Sequence, residues 1–267
     1  MIITSTANAT IKQIRKLRER KERQQSGQFY VEGLRITAEA LQLAQVEMLI
    51  TAPDLLTSAF GGELLDEARR KGIPVVEVSR DVFETLALKD SPQGIAAVAR
   101  QHWLALSAVH PKPGDLWVAL EEVADPGNLG TILRTADGVG AQGVILLDHC
   151  TDPYDPTAMR GSMGAVFSQR LVKASFAEFA AWKKQNGVAV FGTDGESPDD
   201  YHEIMYPDPL VLYMGSEREG LLEEHIALCD RMVKIPMVGR SDSLNLAVAT
   251  AVMLYEIHNQ RRGGQVK

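Results

Sequence analysis

The stretch that decides the fold is LVLYMGSEREGL at 210–221, followed by RMVKIPMVGRSDSLNLAVATAVMLYEIHNQ at 231–260. It opens with five apolar residues between a proline and a glycine, which is typical of a strand buried on both faces. Glu217 follows in the loop at the carboxyl end of this strand. Because open α/β sheets bind their ligands at that edge, we expect Glu217 to lie in a functional site.

A second short strand is predicted at Met232–Ile235, and a turn rich in Gly and Ser leads from it into a long helix. Ser243 and Asn245 fall at the first turn of this helix, where free N–H groups favour a polar or anionic guest. The helix, predicted at Leu244–Ile257, is apolar on nearly every face. We therefore expect two covered sides, one against the sheet and one against a subunit partner.

Alternating strand and helix patterns occur twice along the 267 residues and predict two domains. A small α/β domain is predicted at residues 1–105. Residues 106–114 form a linker, in which two prolines and a glycine prevent regular structure. In residues 115–267, six apolar strands separated by helices, one of them at Val166–Val172, predict a mostly parallel sheet with helices on both faces.

Charge is distributed unevenly along the chain. The formal net charge is -7, which argues against nucleic-acid binding over the whole surface. In contrast, the first 35 residues have eight cations and three acids, so their net charge is +5. One helix is predicted at Asn8–Gln24, either as a solvated surface helix or as an arm that binds phosphates by releasing counterions. The candidate RNA-binding residues are Lys12, Arg15, Lys16, Arg18, Arg20, Lys21, Arg23 and Arg35.

Several classes of protein are disfavoured. Two distant cysteines indicate neither a disulfide framework nor a zinc site, and six scattered histidines define no metal pair. The N-terminus has no apolar signal-peptide core, and the longest apolar run is too short to span a bilayer. A cytoplasmic location without membrane association is expected.

The segment GVGAQG at 138–143 matches a dinucleotide fingerprint, but it closes a helix instead of opening one, so helix-end and turn roles are favoured.

The segment DPGNLGTILRTADGVG at 125–140 is more informative. Asn128 is predicted to cap a helix that begins just after a strand, which is a sufficient structural reason for its presence. Arg134 lies on a helix otherwise lined by apolar residues. Its planar guanidinium suits a phosphate, and we favour this functional role over a structural ion pair.

Three ordered blocks resemble the motifs of the SpoU/TrmH family of RNA ribose 2′-O-methyltransferases in the SPOUT superfamily. They are DPGNLGTILRTA at 125–136, LYMGSEREG at 212–220 and IPMVGRSDSLNL at 235–246. The first hundred residues are similar, more loosely, to the ribosomal-protein-like substrate-binding domain of the rRNA-modifying branch.

The resemblance implies a C-terminal trefoil knot that holds S-adenosylmethionine, a homodimer through the catalytic domain, and no metal. The implied catalytic or substrate-side residues are Asn128, Arg134, Glu217, Ser243 and Asn245. The implied cofactor-binding residues are Thr193, Asp194, Gly195, Gly215, Ile235, Met237, Leu244 and Ala247.

The expected reaction is methyl transfer to a ribose 2′-hydroxyl of RNA, with 23S rRNA favoured and tRNA an alternative. An arginine stays charged at neutral pH, so we expect Arg134 to bind a phosphate and stabilise the developing alkoxide. Glu217, or a water held by Ser243 and Asn245, would then take the proton. The rival hypotheses are a noncatalytic RNA-binding protein and, on GVGAQG alone, a nicotinamide-dependent dehydrogenase.

Overall fold

The computed structural model describes residues 2–88 and 90–264. These residues form two compact units. The first contains the described residues up to His102 together with Tyr154–Phe167, and the second contains Trp103–Pro153 and the described residues from Ser168 onward. The segment Tyr154–Phe167, which the sequence placed in the second domain, therefore packs with the first unit.

Helices and strands alternate along both units. The helices are α1 (Ala9–Lys16), α2 (Arg20–Ser26), α3 (Leu34–Leu43), α4 (Ala59–Arg70), α5 (Arg80–Leu86), α6 (Pro126–Gly138), α7 (Pro156–Ser162), α8 (Ala165–Ser168), α9 (Phe176–Asn186), α10 (Glu223–Leu228) and α11 (Leu246–Gly264). The strands are β1 (Gln28–Glu32), β2 (Val46–Thr51), β3 (Val75–Glu77), β4 (Ile95–Arg100), β5 (Leu116–Glu121), β6 (Gly143–Leu147), β7 (Arg170–Ala174), β8 (Ala189–Thr193), β9 (Leu210–Met214) and β10 (Arg231–Val233).

The first unit contains a four-stranded sheet in the order β1-β4-β2-β3. β4 pairs antiparallel with both β1 and β2, whereas β2 and β3 are parallel. Ile11 and Ile14 of α1 are buried in a core with Phe83 of α5 and Val98 of β4. The N-terminal region is therefore α/β as predicted, with residues of α1 and α5 packed against apolar residues of the sheet.

The predicted single helix at residues 8–24 is wrong, since the structure has two helices there. Asn8 caps α1 by accepting hydrogen bonds from the N–H groups of Thr10 and Ile11. The Arg23 guanidinium then donates to the carbonyl oxygens of Leu17 and Arg18, at 2.9 and 2.7 Å. These contacts satisfy carbonyls that a terminating helix leaves open, and they stabilise the break between α1 and α2.

An ion pair and an aromatic contact hold the segment Tyr154–Phe167 in the first unit. Asp155 accepts from Arg23 at 3.4 Å, and the Tyr154 ring lies 4.6 Å from that of Phe29. The prediction of a strand at Val166–Val172 is therefore wrong at its start. Val166 lies in α8, and β7 begins only at Arg170, where pairing with β6 begins.

The second unit contains a six-stranded parallel sheet in the order β10-β8-β9-β5-β6-β7. Every residue of β5, β6 and β9 is buried, so the sheet is covered on both faces, and the predicted mostly parallel sheet is confirmed. β5 and β9 are direct neighbours, with Leu120 opposite Met214. The loops that follow these two strands consequently meet at one edge.

Two details differ from the prediction near this edge. Helix α10 was not predicted. Helix α11 begins at Leu246, two residues after the predicted start, and its side chains Val248 and Tyr255 are 49% and 50% exposed.

In GVGAQG, Gly140 has a left-handed φ of 72° just after α6, in agreement with a helix-end role. Among the described residues, no helix is long and apolar enough to cross a membrane.

Candidate functional site

The Glu217 carboxylate is held by the loop that follows β5. It accepts hydrogen bonds from the backbone N–H groups of Ala124 and Asp125, at 3.1 and 3.3 Å. It also accepts from the side-chain amide of Asn128, at 3.1 Å. Because β5 and β9 are adjacent and parallel, their carboxyl ends place these groups together.

Asn128 is not the cap of helix α6. Asp125 is the N-cap, and its carboxylate accepts from the backbone N–H of Asn128 at 2.7 Å. Pro126 occupies the first helical position, where the missing N–H costs nothing. The Asn128 side chain is thereby left available for the site, so the predicted capping role passes to Asp125.

Asn245 joins the same group from the start of α11. Its Nδ2 donates to the Asn128 Oδ1 at 3.0 Å, while its Oδ1 accepts from the N–H groups of Ala247 and Val248. A continuous chain therefore runs from Asn245 through Asn128 to Glu217. In this chain each amide nitrogen donates and each oxygen accepts, which fixes the orientation of both amides.

These contacts change the pKa of the Glu217 carboxyl. Partial burial raises the pKa of the Glu217 carboxyl, but the hydrogen bonds from Ala124, Asn128 and Asp125 outweigh this effect, so the net pKa is below its ordinary value. A carboxylate held in this way is a weak base. It is better suited to orienting Asn128 than to accepting a proton.

The other two predicted catalytic residues are not joined to this chain. Arg134 is exposed on α6, and across residues 2–88 and 90–264 its side chain makes no hydrogen bond or ion pair. Ser243 is also exposed and lies beside a pocket at the sheet edge. Both side chains are therefore accessible to a ligand.

That pocket, of about 150 Å³, lies at the carboxyl ends of β8 and β10. Six of the eight predicted cofactor residues line it: Thr193, Asp194, Gly195, Ile235, Met237 and Leu244. Gly215 and Ala247 do not. A Cβ on Gly215 would lie 2.2 Å from the Gly220 carbonyl carbon, so close packing of the chain explains this glycine. Asp242 and Lys234 also line the pocket and were not predicted.

The residues that line the pocket suit the chemistry of the S-adenosylmethionine that the resemblance implies. Apolar side chains from Ile235 and Leu244 provide walls, and Asp194 provides a carboxylate. In the part of the chain that is described, the backbone of residues 235–244 makes no hydrogen bond to other backbone groups. These N–H and carbonyl groups are available to a polar ligand.

Most of the predicted RNA-binding cations are on the surface of the first unit. Those that are exposed are Lys12, Lys16, Arg18, Arg20, Lys21 and Arg35. Arg15 is half-buried and donates to Thr6 and Thr85. Arg23 is only 1% exposed and pairs with Asp155, so its assignment to the RNA surface is corrected.

A buried polar cluster near the site was missed. The Tyr213 hydroxyl donates to Glu121, and His225 Nδ1 lies 3.9 Å from Glu121 Oε2. Burial raises the pKa of Glu121, although the hydrogen bond from Tyr213 opposes the shift. The three residues come from β5, β9 and α10, so no local spacing in the sequence indicates them.

In the described residues, no group of three His, Cys, Asp or Glu side chains is arranged to hold a metal ion.

Comparison with known proteins agrees with this geometry. Residues 115–255 match the SpoU rRNA Methylase family, and residues 8–97 match the MRM3-like substrate binding domain. An S-adenosylmethionine-bound rRNA methyltransferase from Sinorhizobium meliloti is 37% identical, with a TM-score of 0.89 and 97% of both chains covered.

Two further relatives act on named nucleotides. The 23S rRNA (guanosine(2553)-2′-O)-methyltransferase RlmP of Bacillus subtilis is 29% identical, covering 96% of this chain and 98% of the relative. The 23S rRNA (uridine(2479)-2′-O)-methyltransferase of Streptomyces viridochromogenes is 32% identical, covering 93% and 88% respectively. The motifs, the parallel sheet and a family match over more than half of the chain agree, and the protein belongs to the SpoU rRNA Methylase family.

Proposed function

We propose that this protein transfers a methyl group from S-adenosylmethionine to a ribose 2′-hydroxyl of 23S rRNA. The observation that carries the proposal is the chain from Asn245 through Asn128 to Glu217 at the sheet edge that holds the pocket. Family membership and the 23S rRNA relatives support the substrate.

The cofactor is assigned to the pocket at the ends of β8 and β10. When bound, it supplies a methyl group that is already electrophilic, so the protein has to position and activate the ribose oxygen. We assign its contacts to Thr193–Gly195 and to the loop containing Ile235, Met237 and Leu244. Gly215 instead packs against Gly220 in the loop after β9, and Ala247 is buried in α11.

Arg134 is assigned to the RNA side of the reaction. Its exposed guanidinium binds the phosphate next to the target ribose and stabilises negative charge on the oxygen. Glu217 orients Asn128, because its oxygens are engaged by three donors and its pKa is low. The proton then passes to a water held by Ser243 and Asn245.

The trefoil knot is part of the same proposal. β10 lies at the outer edge of the sheet, whereas Asn245, twelve residues after Val233, meets Asn128, which follows β5, three strands away from β10. The intervening residues therefore cross the ends of β8 and β9. We propose that α11 passes through a loop there, in contrast to the general rule that chains are unknotted.

A homodimer through the second unit is also proposed. The exposed Val248 and Tyr255 lie seven residues apart on α11 and form an apolar stripe on one helix face. A second copy covering this stripe would explain why the helix is apolar on nearly every side. We place the protein in the cytoplasm, since its relatives act on ribosomal RNA.

One experiment separates this proposal from its rivals. Ribose methylation is mapped on 23S rRNA and tRNA from a strain lacking the protein, and the purified protein is then added with S-adenosylmethionine. We expect one 23S rRNA ribose to lose its methyl group and to regain it in vitro. A methyl group lost from tRNA would favour the tRNA alternative, and no loss in either RNA would favour a noncatalytic binder.

A further inference from the structure

The loop that carries Glu217 is closed on itself. The backbone N–H of Ser216 donates to the Gly220 carbonyl, and the N–H of Gly220 donates to the Ser216 carbonyl, each at 3.1 Å. Gly215 packs against the backbone of Gly220, so the two ends of the loop are in contact. The loop therefore holds its own shape, and its position in the site depends on the residues that come before and after it.

One buried carboxyl group meets the chain on both sides of this loop. It belongs to Glu121, the last residue of β5. Tyr213, four residues before Glu217, donates its hydroxyl to Glu121. His225, eight residues after Glu217, faces the Glu121 Oε2 with its Nδ1 at 3.9 Å. All three side chains are buried, so water does not compete for these contacts and the low local dielectric strengthens them.

Helix α9 packs against this cluster from behind. The His225 ring lies 4.3 Å from the ring of Phe176, and the Tyr213 ring packs edge-on against Phe179 at 5.5 Å. The start of α9 is itself fixed, because the Phe176 N–H donates to Asp148 at 3.1 Å. Tyr213 and His225 are thus held in place by a helix that carries none of the site residues.

Glu121 also precedes the segment that binds Glu217. The backbone N–H groups that donate to Glu217 belong to Ala124 and Asp125, three and four residues further on. Between them and Glu121 lies Glu122, which adopts a left-handed φ of 45°. This conformation is costly for a residue other than glycine and persists only where the surrounding structure fixes it. The turn that carries the two donors therefore needs an anchor at its start, and Glu121 occupies that position.

We propose that Glu121 is a positioning residue for methyl transfer. Through its contacts with Tyr213 and His225 it holds the loop that carries Glu217 against the turn that follows β5. Glu217 in turn orients the amide of Asn128. Neither Glu121 nor its two partners touch the ribose or the cofactor, and all three act through Glu217. The inference rests on the proposed function and deepens it, since it assigns buried residues behind the site to the same reaction.

The first measurement is hydrogen exchange of the two backbone N–H groups that donate to Glu217, which requires neither RNA nor cofactor. Tyr213→Phe removes the donor to Glu121 and keeps the ring. Both N–H groups should then exchange about tenfold faster, the scale of one lost buried hydrogen bond. Tyr206→Phe is the matched control, because it removes a phenol that donates to the Tyr201 carbonyl in the same unit, and it should leave both rates unchanged. Unchanged exchange in Tyr213→Phe would overturn the proposal.

A general loss of stability also loosens loops, and a double variant separates the two effects. Replacing both partners of a buried hydrogen bond by apolar side chains leaves no polar group unpaired and is nearly neutral for stability. Glu121→Leu combined with Tyr213→Phe should therefore melt near the wild-type temperature and still exchange both N–H groups about tenfold faster. Glu121→Gln keeps an oxygen that accepts from Tyr213 and should exchange like the wild type. Equal exchange in Glu121→Gln and the double variant would contradict the role of this hydrogen bond.

The second measurement is methyl transfer to a 23S rRNA transcript. Tyr213→Phe should lower kcat about tenfold, in proportion to the faster exchange, and leave KM for S-adenosylmethionine unchanged, because no residue of β5 or β9 lines the pocket assigned to the cofactor. Added to Asn128→Ala, it should have a smaller effect than in the wild type, since both substitutions act on the orientation of one amide. Independent effects that multiply would overturn the proposed route.

These outcomes are distinct from a failure of the proposed function. Wild-type protein that methylates no 23S rRNA would overturn the proposed function, and hydrogen exchange would still show whether Glu121 holds the Glu217 loop. Wild-type protein that is active, together with a Tyr213→Phe variant of equal kcat, would overturn the positioning role alone.

Discussion

Asn245 and Asn128 are 117 positions apart in the chain, and their side-chain amides are joined by a hydrogen bond of 3.0 Å. This contact ties the start of the last helix to the first turn of α6. Because Asn128 also donates to Glu217, one amide connects three segments of the chain. The geometry of the site therefore depends on Asn128 more than on any single strand end.

Replacing Asn128 with alanine should lower methyl transfer strongly. Hydrogen bonds to a charged group contribute about 1.5–3 kcal/mol, so a loss of about 10- to 150-fold in kcat/KM is expected if the orientation of Glu217 and Asn245 matters in the transition state. Thr131→Ala is the matched control, because Thr131 is exposed on the same helix and its hydroxyl donates to the Gly127 carbonyl, away from the chain of amides. Equal activity of the two variants would contradict a role for the chain.

The lowered pKa of Glu217 predicts a dependence of stability on acid. A carboxyl with a folded pKa below its unfolded value, near about 4.3, stabilises the protein above that value, and the contribution is lost as pH falls through the folded pKa. The melting temperature of Glu217→Gln should therefore fall less between about pH 6 and pH 3 than that of the wild type. Parallel melting curves across this range would show that the three donors do not stabilise the charged form. Glu219→Gln, in the same exposed loop, is the control.

The site was predictable where strand ends determine it, and not elsewhere. Glu217 and Asn128 follow apolar strands that had to be parallel, so their convergence could be predicted. The cap of α6 was misassigned although a signal was present, since Pro126 at the first helical position indicates that Asp125 precedes it as the cap.

The packing of Tyr154–Phe167 with the first unit could not be predicted. It depends on Arg23 meeting Asp155 across 132 positions, and an apolar run such as Ala165–Phe167 is compatible with either a strand or a helix. Because this segment packs with the first unit, deleting residues 1–100 would expose buried side chains of the segment. Point substitutions are therefore the appropriate test of RNA binding.

Replacing Arg23 should lower the stability of the protein, whereas replacing Lys16 should weaken its binding of RNA. Arg23→Ala removes the donors at the end of α1 and the ion pair with Asp155, so a loss of about 1–3 kcal/mol of unfolding free energy is expected. Lys16→Ala should change the stability by no more than about 0.5 kcal/mol. Instead it should weaken RNA binding and reduce the slope of log affinity against log salt by about one. Chemical denaturation and binding titrations at several salt concentrations measure both effects.

The proposed dimer depends on the apolar stripe of α11. Val248→Asp places a charge in that stripe and is expected to give a monomer in sedimentation experiments, because an unpaired buried charge is costly at an interface. Gln185→Glu adds a negative charge at an exposed polar position of α9 in the same unit and should leave the assembly unchanged. A dimeric Val248→Asp variant would place the interface elsewhere.

Arg134 separates two accounts of how the ribose hydroxyl is activated. If the guanidinium only binds phosphate and stabilises charge, Arg134→Lys should lower kcat, because a point charge replaces a planar fork, while the pH at which the rate rises should stay the same. If Arg134 were the base, the rising limb would move to lower pH with lysine, whose side chain loses its proton near about pH 10.4 in water. Arg134→Met has an uncharged side chain and measures the activity that remains without a charge at this position. Since Arg134 is exposed and makes no ion pair within the described residues, all three proteins should melt alike, so a shifted limb would contradict the phosphate-binding role directly.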